Sequence, residues 1–174
     1  LQTIVQPYET KFYQRSIFTL DVQRYRELHS GWQQRLPVGF SLRRADAALA
    51  LEIGGIPDMW GSVENFLAHG FGFCMIDETK PDISSGFASS AQTVFVGDRR
   101  AETGVETREA YRRRGLATAV CCAYIDHCLQ SGIQPEWGCV ENEASENLAY
   151  QLGFGNKRDW PLLLVRAPER LRSG

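Results

Sequence analysis

The chain has 174 residues, 43% hydrophobic and 23% charged, the make-up of an ordinary folded domain rather than a disordered or low-complexity segment. A formal charge of -2 gives no electrostatic footprint for nucleic acid, and no run approaches the roughly 18 apolar residues that span a bilayer. A domain of this length buries about 70% of its unfolded surface, so it needs no disulfide staple to hold a core.

The cysteine pattern agrees. Cys74, Cys121, Cys122, Cys128 and Cys139 are odd in number, form no Cys-x-x-Cys pair, and three of them fall in one apolar stretch. They read as reduced, buried hydrophobes, with no metal site and no disulfide framework. No secretory signal opens the chain, so a cytoplasmic location is expected, with no membrane and no nucleic acid as partner. The chain opens on Leu1 rather than Met, which leaves room for residues upstream.

In chain order, 1–36 mixes aromatic and charged residues and is expected to be an arm packed on, or preceding, a main domain over 37–174. Within it, 16–20 suits a short strand, and Asp21 caps a helix running to about residue 34, stopped by Pro37. A short strand follows over 38–42, then a helix over 45–53 closed by Gly54-Gly55. A second short helix starts near Ser62 and ends at Gly70. Residues 71–76, 83–90, 92–96 and 101–107 are strand-like, with 83–90 and 92–96 suited to joining as one long bent strand and Gly97-Asp98 as a turn.

The rhythm then changes. Residues 114–129 are apolar on most faces, which predicts a buried helix ended by Gly132. A strand over 134–140, a helix over 143–152 entered through Asn142, and a last strand over 162–165 complete the chain. Strands followed by strand, helix, strand, helix, strand predict an α/β fold with a mixed sheet and at least one crossover helix.

The segment Thr107-Arg108-Glu109-Ala110-Tyr111-Arg112-Arg113-Arg114-Gly115-Leu116-Ala117-Thr118 carries the chemistry. A strand ends, a basic turn follows, and a long helix begins with small residues in its first turn. Free N–H groups at a helix N-terminus attract anions, small residues admit a phosphate to the backbone, and arginines complement its charge. Read from these residues alone, the turn is either a diphosphate site or a solvated arginine cluster beside a packing glycine.

Arg112-x-x-Gly115-x-Ala117 matches the R/Q-x-x-G-x-G/A loop of the GNAT acetyltransferases, and Tyr111 matches the aromatic that usually precedes it. Downstream, Glu136-Trp137-Gly138-Cys139-Val140, Asn142-x-x-Ser145, Leu148 and Gly153-Phe154 follow the family's strand, N-x-x-A/S and helix ending in Gly-Phe. Residues 101–155 therefore resemble the GNAT superfamily. Trp60-Gly61-Ser62, the 66–73 stretch, Glu106-Thr107 and Ala144-Ser145-Glu146-Asn147-Leu148-Ala149 extend the likeness to a bacterial subgroup over about 38–160.

The resemblance implies a GNAT-type central mixed sheet flanked by helices, with splayed parallel strands at 101–107 and 134–140 forming a coenzyme cleft. It implies acetyl-coenzyme A as co-substrate, no metal, and direct attack by the amine of a small molecule. Val105 and Thr107 would meet the pantetheine arm. The amides of Arg113, Arg114, Gly115, Leu116, Ala117 and Thr118 would hold the pyrophosphate, helped by Arg112, and Asn142 and Ser145 fall where the family contacts coenzyme. Many relatives are dimers, so a homodimer is a candidate assembly.

An amine must lose a proton before it attacks, and a carboxylate or a water chain usually takes it. Glu102 and Glu106 share one strand face by the period of two, and are the candidate catalytic groups. Merely polar edge residues or substrate contacts are the alternative for both. The family's tyrosine acid is missing: its position holds Ala149, and Tyr150 lies about 100° further round the helix. That departure motivates a second reading, a non-catalytic acyl-coenzyme A binding or sensing module. Trp60, Trp137 and Trp160 are core residues by default and pocket-lining residues otherwise. Cys139 lacks an activating partner in the sequence, and His127 reads as a satisfied, partly buried residue.

Overall fold

The strand that contains Arg15 and Phe18 lies inside the sheet, although it comes first among the described strands. The structure, a computed structural model, describes residues 9–166. Its strands are β1 (Glu9–Leu20), β2 (Phe40–Arg44), β3 (Gly72–Asp77), β4 (Phe87–Gly97), β5 (Arg100–Thr107), β6 (Gln134–Val140) and β7 (Phe154–Arg166). They form one seven-stranded sheet in the order β2-β3-β4-β5-β6-β1-β7. Only β5 and β6 are parallel; every other pair is antiparallel. The sheet is mixed and flanked by helices, as expected.

The helices are α1 (Val22–His29), α2 (Ala47–Glu52), α3 (Ile56–Trp60), α4 (Val63–His69), α5 (Ile83–Gly86), α6 (Leu116–Gln130) and α7 (Glu143–Gln151). They divide between the two faces. On one, α6 lies in the larger core with Phe18, Met75, Ala91, Ala101, Trp137 and Phe154 from the strands beneath it. On the other, Leu49, Ile53, Ile56 and Phe66 from α2 to α4 pack with Cys74, Ile76 and Phe87. That second cover lies over β3 and β4; on β6 and β7, Val140, Trp160 and Leu164 stay exposed.

Several local outcomes follow from caps and turns. Asp21 caps α1 by accepting the Arg24 N–H at 3.0 Å. The helix expected to reach residue 34 instead ends at His29, because Gly31 takes a left-handed conformation at φ 65° and a 3-10 turn, Trp32–Arg35, follows. Tyr25 and Trp32 fasten this segment to α6: both donate to the Asp126 carboxylate, at 2.6 and 2.8 Å.

The strand expected over 83–96 begins only at Phe87. Asp82 accepts the Ser85 N–H at 2.8 Å and caps the single turn of α5 first. The last strand is longer than the expected 162–165. Pro161 and the charges at Lys157, Arg158 and Asp159 masked it, yet β7 is an edge strand, where a missing N–H costs no ladder bond.

The helix predicted over 114–129 is α6, and its buried residues include Leu116, Val120, Cys121, Cys122, Ile125 and Cys128. All five cysteines are free and buried. Among the described residues no helix is long and apolar enough to cross a membrane, and no cluster of three or more His, Cys, Asp or Glu is placed to hold a metal.

Candidate active site

The β5–β6 ladder is short. It pairs Arg100 with Gln134, Ala101 with Pro135, Glu102 with Glu136 and Thr103 with Trp137, and then stops. Beyond it Gly104 to Thr107 remain paired only to β4, and Gly138 to Val140 only to β1. Two parallel strands part company there, leaving a V with unpaired backbone along its inner edges. Because the strands are parallel, the helices that follow them, α6 and α7, both present their N-termini at the open end of the V. Ligands of α/β sheets collect at such crevices beyond strand C-termini.

The turn before α6 is built to expose backbone N–H groups. Arg113 and Gly115 both adopt positive φ, 60° and 76°. No side chain caps the helix, and its first backbone bond runs from the Ala119 N–H to the Gly115 carbonyl at 3.1 Å. A Cβ added at Gly115 would meet no atom within 4 Å, so the space over the turn is open. Alternating backbone conformations around an uncapped N-terminus form an anion nest.

Side chains hold this turn from behind. Leu116 drives into the core, while residues 112–115 are exposed and Ala117 and Thr118 half-buried. Tyr111 is buried, donates to the Asp77 carboxylate at 3.1 Å and carries the Arg114 guanidinium 5.6 Å from its ring centre. Burial, then the bond to Asp77, raises the Tyr111 hydroxyl above the usual tyrosine range, while Thr79 and Tyr111 hold Asp77 below the usual carboxylate range. Arg112 donates from Nε to the Thr107 carbonyl at 3.3 Å. Arg108 is committed elsewhere, paired with Glu52 at 2.7 Å. An exposed, uncapped nest with arginines about it fits the diphosphate of coenzyme A.

Along the strand itself, Val105 turns its side chain toward the α6 core. Thr107 ends β5 with its hydroxyl 2.8 Å from that of Ser89. On the other arm of the V, Asn142 caps α7 by accepting the Ser145 N–H at 3.1 Å. The Ser145 hydroxyl accepts from Trp137 Nε1 at 3.1 Å. Trp137 is thus a core residue whose ring is tied to α7, and Ser145 is a structural anchor at the start of that helix.

Glu102 and Glu106 leave β5 on the face away from α6, but in different company. Glu106 accepts the Gly54 N–H at 3.1 Å and holds the α2–α3 connection. Glu102 lines a cleft of about 570 Å³ together with Arg15, Ile17, Phe95, Glu136 and Val140. Its oxygens both accept from Arg15 Nη2, each at 2.5 Å. Beside it Glu136 pairs with Arg100 at 3.1 Å. The Tyr124 hydroxyl donates to the Glu102 carbonyl at 3.3 Å and steadies the strand at this point. A β-bulge between Thr93 and Phe95 turns Val94 and Phe95 into the same cleft.

Arg15, Phe95, Gly138 and Glu136 were not legible as site residues. Arg15 falls in the part of β1 that its mixed composition concealed, and Phe95 reaches the cleft only because of the bulge. Ala149 is fully buried, while Tyr150 sits half-exposed with its ring edge-on to Phe18 at 5.4 Å. Neither brings a phenol to the cleft. Burial, then Glu146, raises the Cys139 thiol above its usual value, which argues against a nucleophilic thiolate. His127 packs against Phe71 and Phe73, and burial lowers its affinity for a proton.

Comparisons with known proteins bear on this geometry. The family model for GNAT acetyltransferases matches residues 2–163. YdfB of Bacillus subtilis (strain 168), described as an uncharacterized N-acetyltransferase, is 34% identical over 126 residues, which is 69% of this chain and 46% of YdfB. A GCN5-related N-acetyltransferase-like protein from Streptococcus suis superposes with a TM-score of 0.71 at 24% identity, over 95% of this chain and 66% of that one. A GCN5-related N-acetyltransferase from Kribbella flavida gives 0.57 at 13% identity, over 98% of this chain and 64% of that one. The chain thus spans less than half of its curated relative and about two thirds of these structures.

Proposed function

The chain belongs to the GNAT acetyltransferase family, and from that premise we propose that it moves an acetyl group from acetyl-coenzyme A to the primary amine of a small molecule. The observation that carries this reading is the V itself. The β5–β6 ladder stops at Thr103 and Trp137, an open nest at Gly115 lies at its wide end, and a cleft holding Glu102 lies at its apex.

Each part has a task. The amides from Arg113 to Thr118 bind the diphosphate, with Arg112 and Arg114 as counter-charges. The unpaired edge of β5 near Val105 and Thr107 aligns the pantetheine arm, and the α7 entrance at Asn142 and Ser145 bounds it on the other side. When bound, acetyl-coenzyme A supplies an activated thioester, whose carbon–sulfur bond breaks as the amine forms a carbon–nitrogen bond and the coenzyme leaves as thiolate.

Glu102 Oε takes the proton that the acceptor's ammonium must shed, directly or through one water. Glu106 is the second candidate, and its bond to Gly54 makes it a holder of the acceptor-side loop. No acid is required at Ala149, because a thiolate is a tolerable leaving group near neutral pH.

A thermal-shift titration with acetyl-coenzyme A, with coenzyme A and ATP as controls, tests the site. Saturation at 100 times the dissociation constant stabilises a fold by about 2.7 kcal/mol. A saturable shift with both coenzymes but not with ATP is expected. No shift in folded protein would sink the reading. The buried Ala149 favours one rival, a binding module without turnover. Coenzyme affinity with no thiol release across an amine panel would establish that rival instead.

A further inference from the structure

Resting on the transfer reading above, the geometry points to an acceptor class: an α-amino acid with an apolar side chain, its carboxylate bound by Arg15 and its amine set against Glu102. The cleft at the apex of the V contains one opposed charge pair at its centre. Arg15 comes from β1 and Glu102 from β5, and they meet across β6 at 2.5 Å. Such a pair is complementary, group for group, to a zwitterion that carries a carboxylate and an ammonium one carbon apart.

Three observations support that complement over other amines. The Arg15 guanidinium is a third exposed and spends only Nη2 on Glu102; among the described residues its Nε and Nη1 donate to nothing. Guanidinium N–H groups in a fixed fork suit a carboxylate and have no use for a second ammonium, which disfavours polyamines. The other carboxylate of the cleft, Glu136, is already balanced by Arg100 at 3.1 Å.

The walls are apolar. Ile17, Phe95 and Val140 surround the pair, and Phe95 and Val140 are exposed at 45% and 38%. Such a rim shelters a hydrocarbon side chain and offers little to the hydroxyls of an amino sugar. The position also fits the chemistry. Glu102 and Glu136 are opposite one another in the last paired rung but one before the strands part, so an amine held there stands at the point of the V.

The test compares L-phenylalanine with L-phenylalaninamide and 2-phenylethylamine, which keep the amine and the ring but lack the carboxylate. Each is titrated calorimetrically into protein saturated with coenzyme A, and each is assayed as an acceptor with acetyl-coenzyme A. The wild type is expected to prefer the amino acid by at least about tenfold in affinity, the worth of one charge-assisted hydrogen bond. Arg15→Gln is expected to erase that preference, and Arg15→Lys to restore part of it. Melting temperature and coenzyme A affinity report whether each variant is folded.

Equal binding of the three ligands, or a preference that survives in Arg15→Gln, overturns the assignment while leaving acetyl transfer to another amine intact. Failure to bind coenzyme A at all sinks the transfer reading by itself. The same three ligands titrated into the protein alone then decide the Arg15 assignment, with no amino-acid preference overturning it.

Discussion

Arg15 and Glu102 meet over Gly138, and the missing side chain of that glycine is the space their ion pair fills. A Cβ at Gly138 would stand 2.7 Å from Glu102 Oε1 and 2.9 Å from Arg15 Nη2. Both atoms are ends of flexible side chains, so Gly138→Ala is expected to displace the pair and leave the fold intact. Coenzyme A affinity by calorimetry should change less than about twofold. Acceptor kcat/KM should fall about 10- to 100-fold, the scale of a small misplacement at a reacting group.

Gly115 is constrained differently. Its φ of 76° disfavours any side chain, yet a Cβ there would touch no protein atom. Gly115→Ala should therefore destabilise by about 1–2 kcal/mol through backbone strain alone. Gly115→Glu adds a carboxylate to an anion nest and should abolish coenzyme A binding. Calorimetry on both variants checks this; unchanged affinity in Gly115→Glu would remove the nest from the site.

The two glutamates should separate under the same substitution. Glu102→Gln is expected to lower kcat by about 10²- to 10⁴-fold, the range for loss of a proton acceptor. Glu106→Gln keeps an oxygen for the Gly54 N–H. It should cost about 1 kcal/mol of stability at most and leave kcat within about tenfold. Steady-state kinetics with urea unfolding of each variant reads both effects. The reverse ranking would transfer the proton-accepting role to Glu106.

The buried thiols predict alkaline sensitivity. Burial first pushes Cys74, Cys122 and Cys128 from 9.0 up to about 12. Above pH 9 the unfolded chain gives up protons that the folded protein retains, so the unfolded state binds fewer protons and stability falls as pH rises. The contribution is whole below pH 9 and is lost between 9 and 12. Each thiol adds a slope of about 1.4 kcal/mol per pH unit, about 4 for the three together. Urea midpoints at pH 8, 9 and 10 should fall accordingly, and Cys122→Ala should make the decline shallower.

What the sequence disclosed was local. The α6 turn, the strand over 134–140 and the cap at Asn142 are contiguous segments whose signals lie within a few residues of one another. The cleft is assembled differently. Arg15, Phe95, Glu102 and Gly138 come from four strands, and their meeting depends on strand order and on a bulge, neither of which leaves a periodic trace. The short turn of α5 and the start of β7 were hidden for a related reason. Asp82 and Pro161 act through cap and edge position, where periodicity carries no information.

The placement of β1 also bears on how the chain is made. Ribosomal synthesis delivers residues in order, and β1 emerges long before its partners: Arg15 pairs with Val140 and Ile17 with Arg158. Strands β2 to β5 pair with sequence neighbours and can assemble while translation continues. β1 therefore has neither of its ladder partners until β6 has been made. Since Arg15 rides on β1, its ion pair with Glu102 across β6 closes only after that strand has been made.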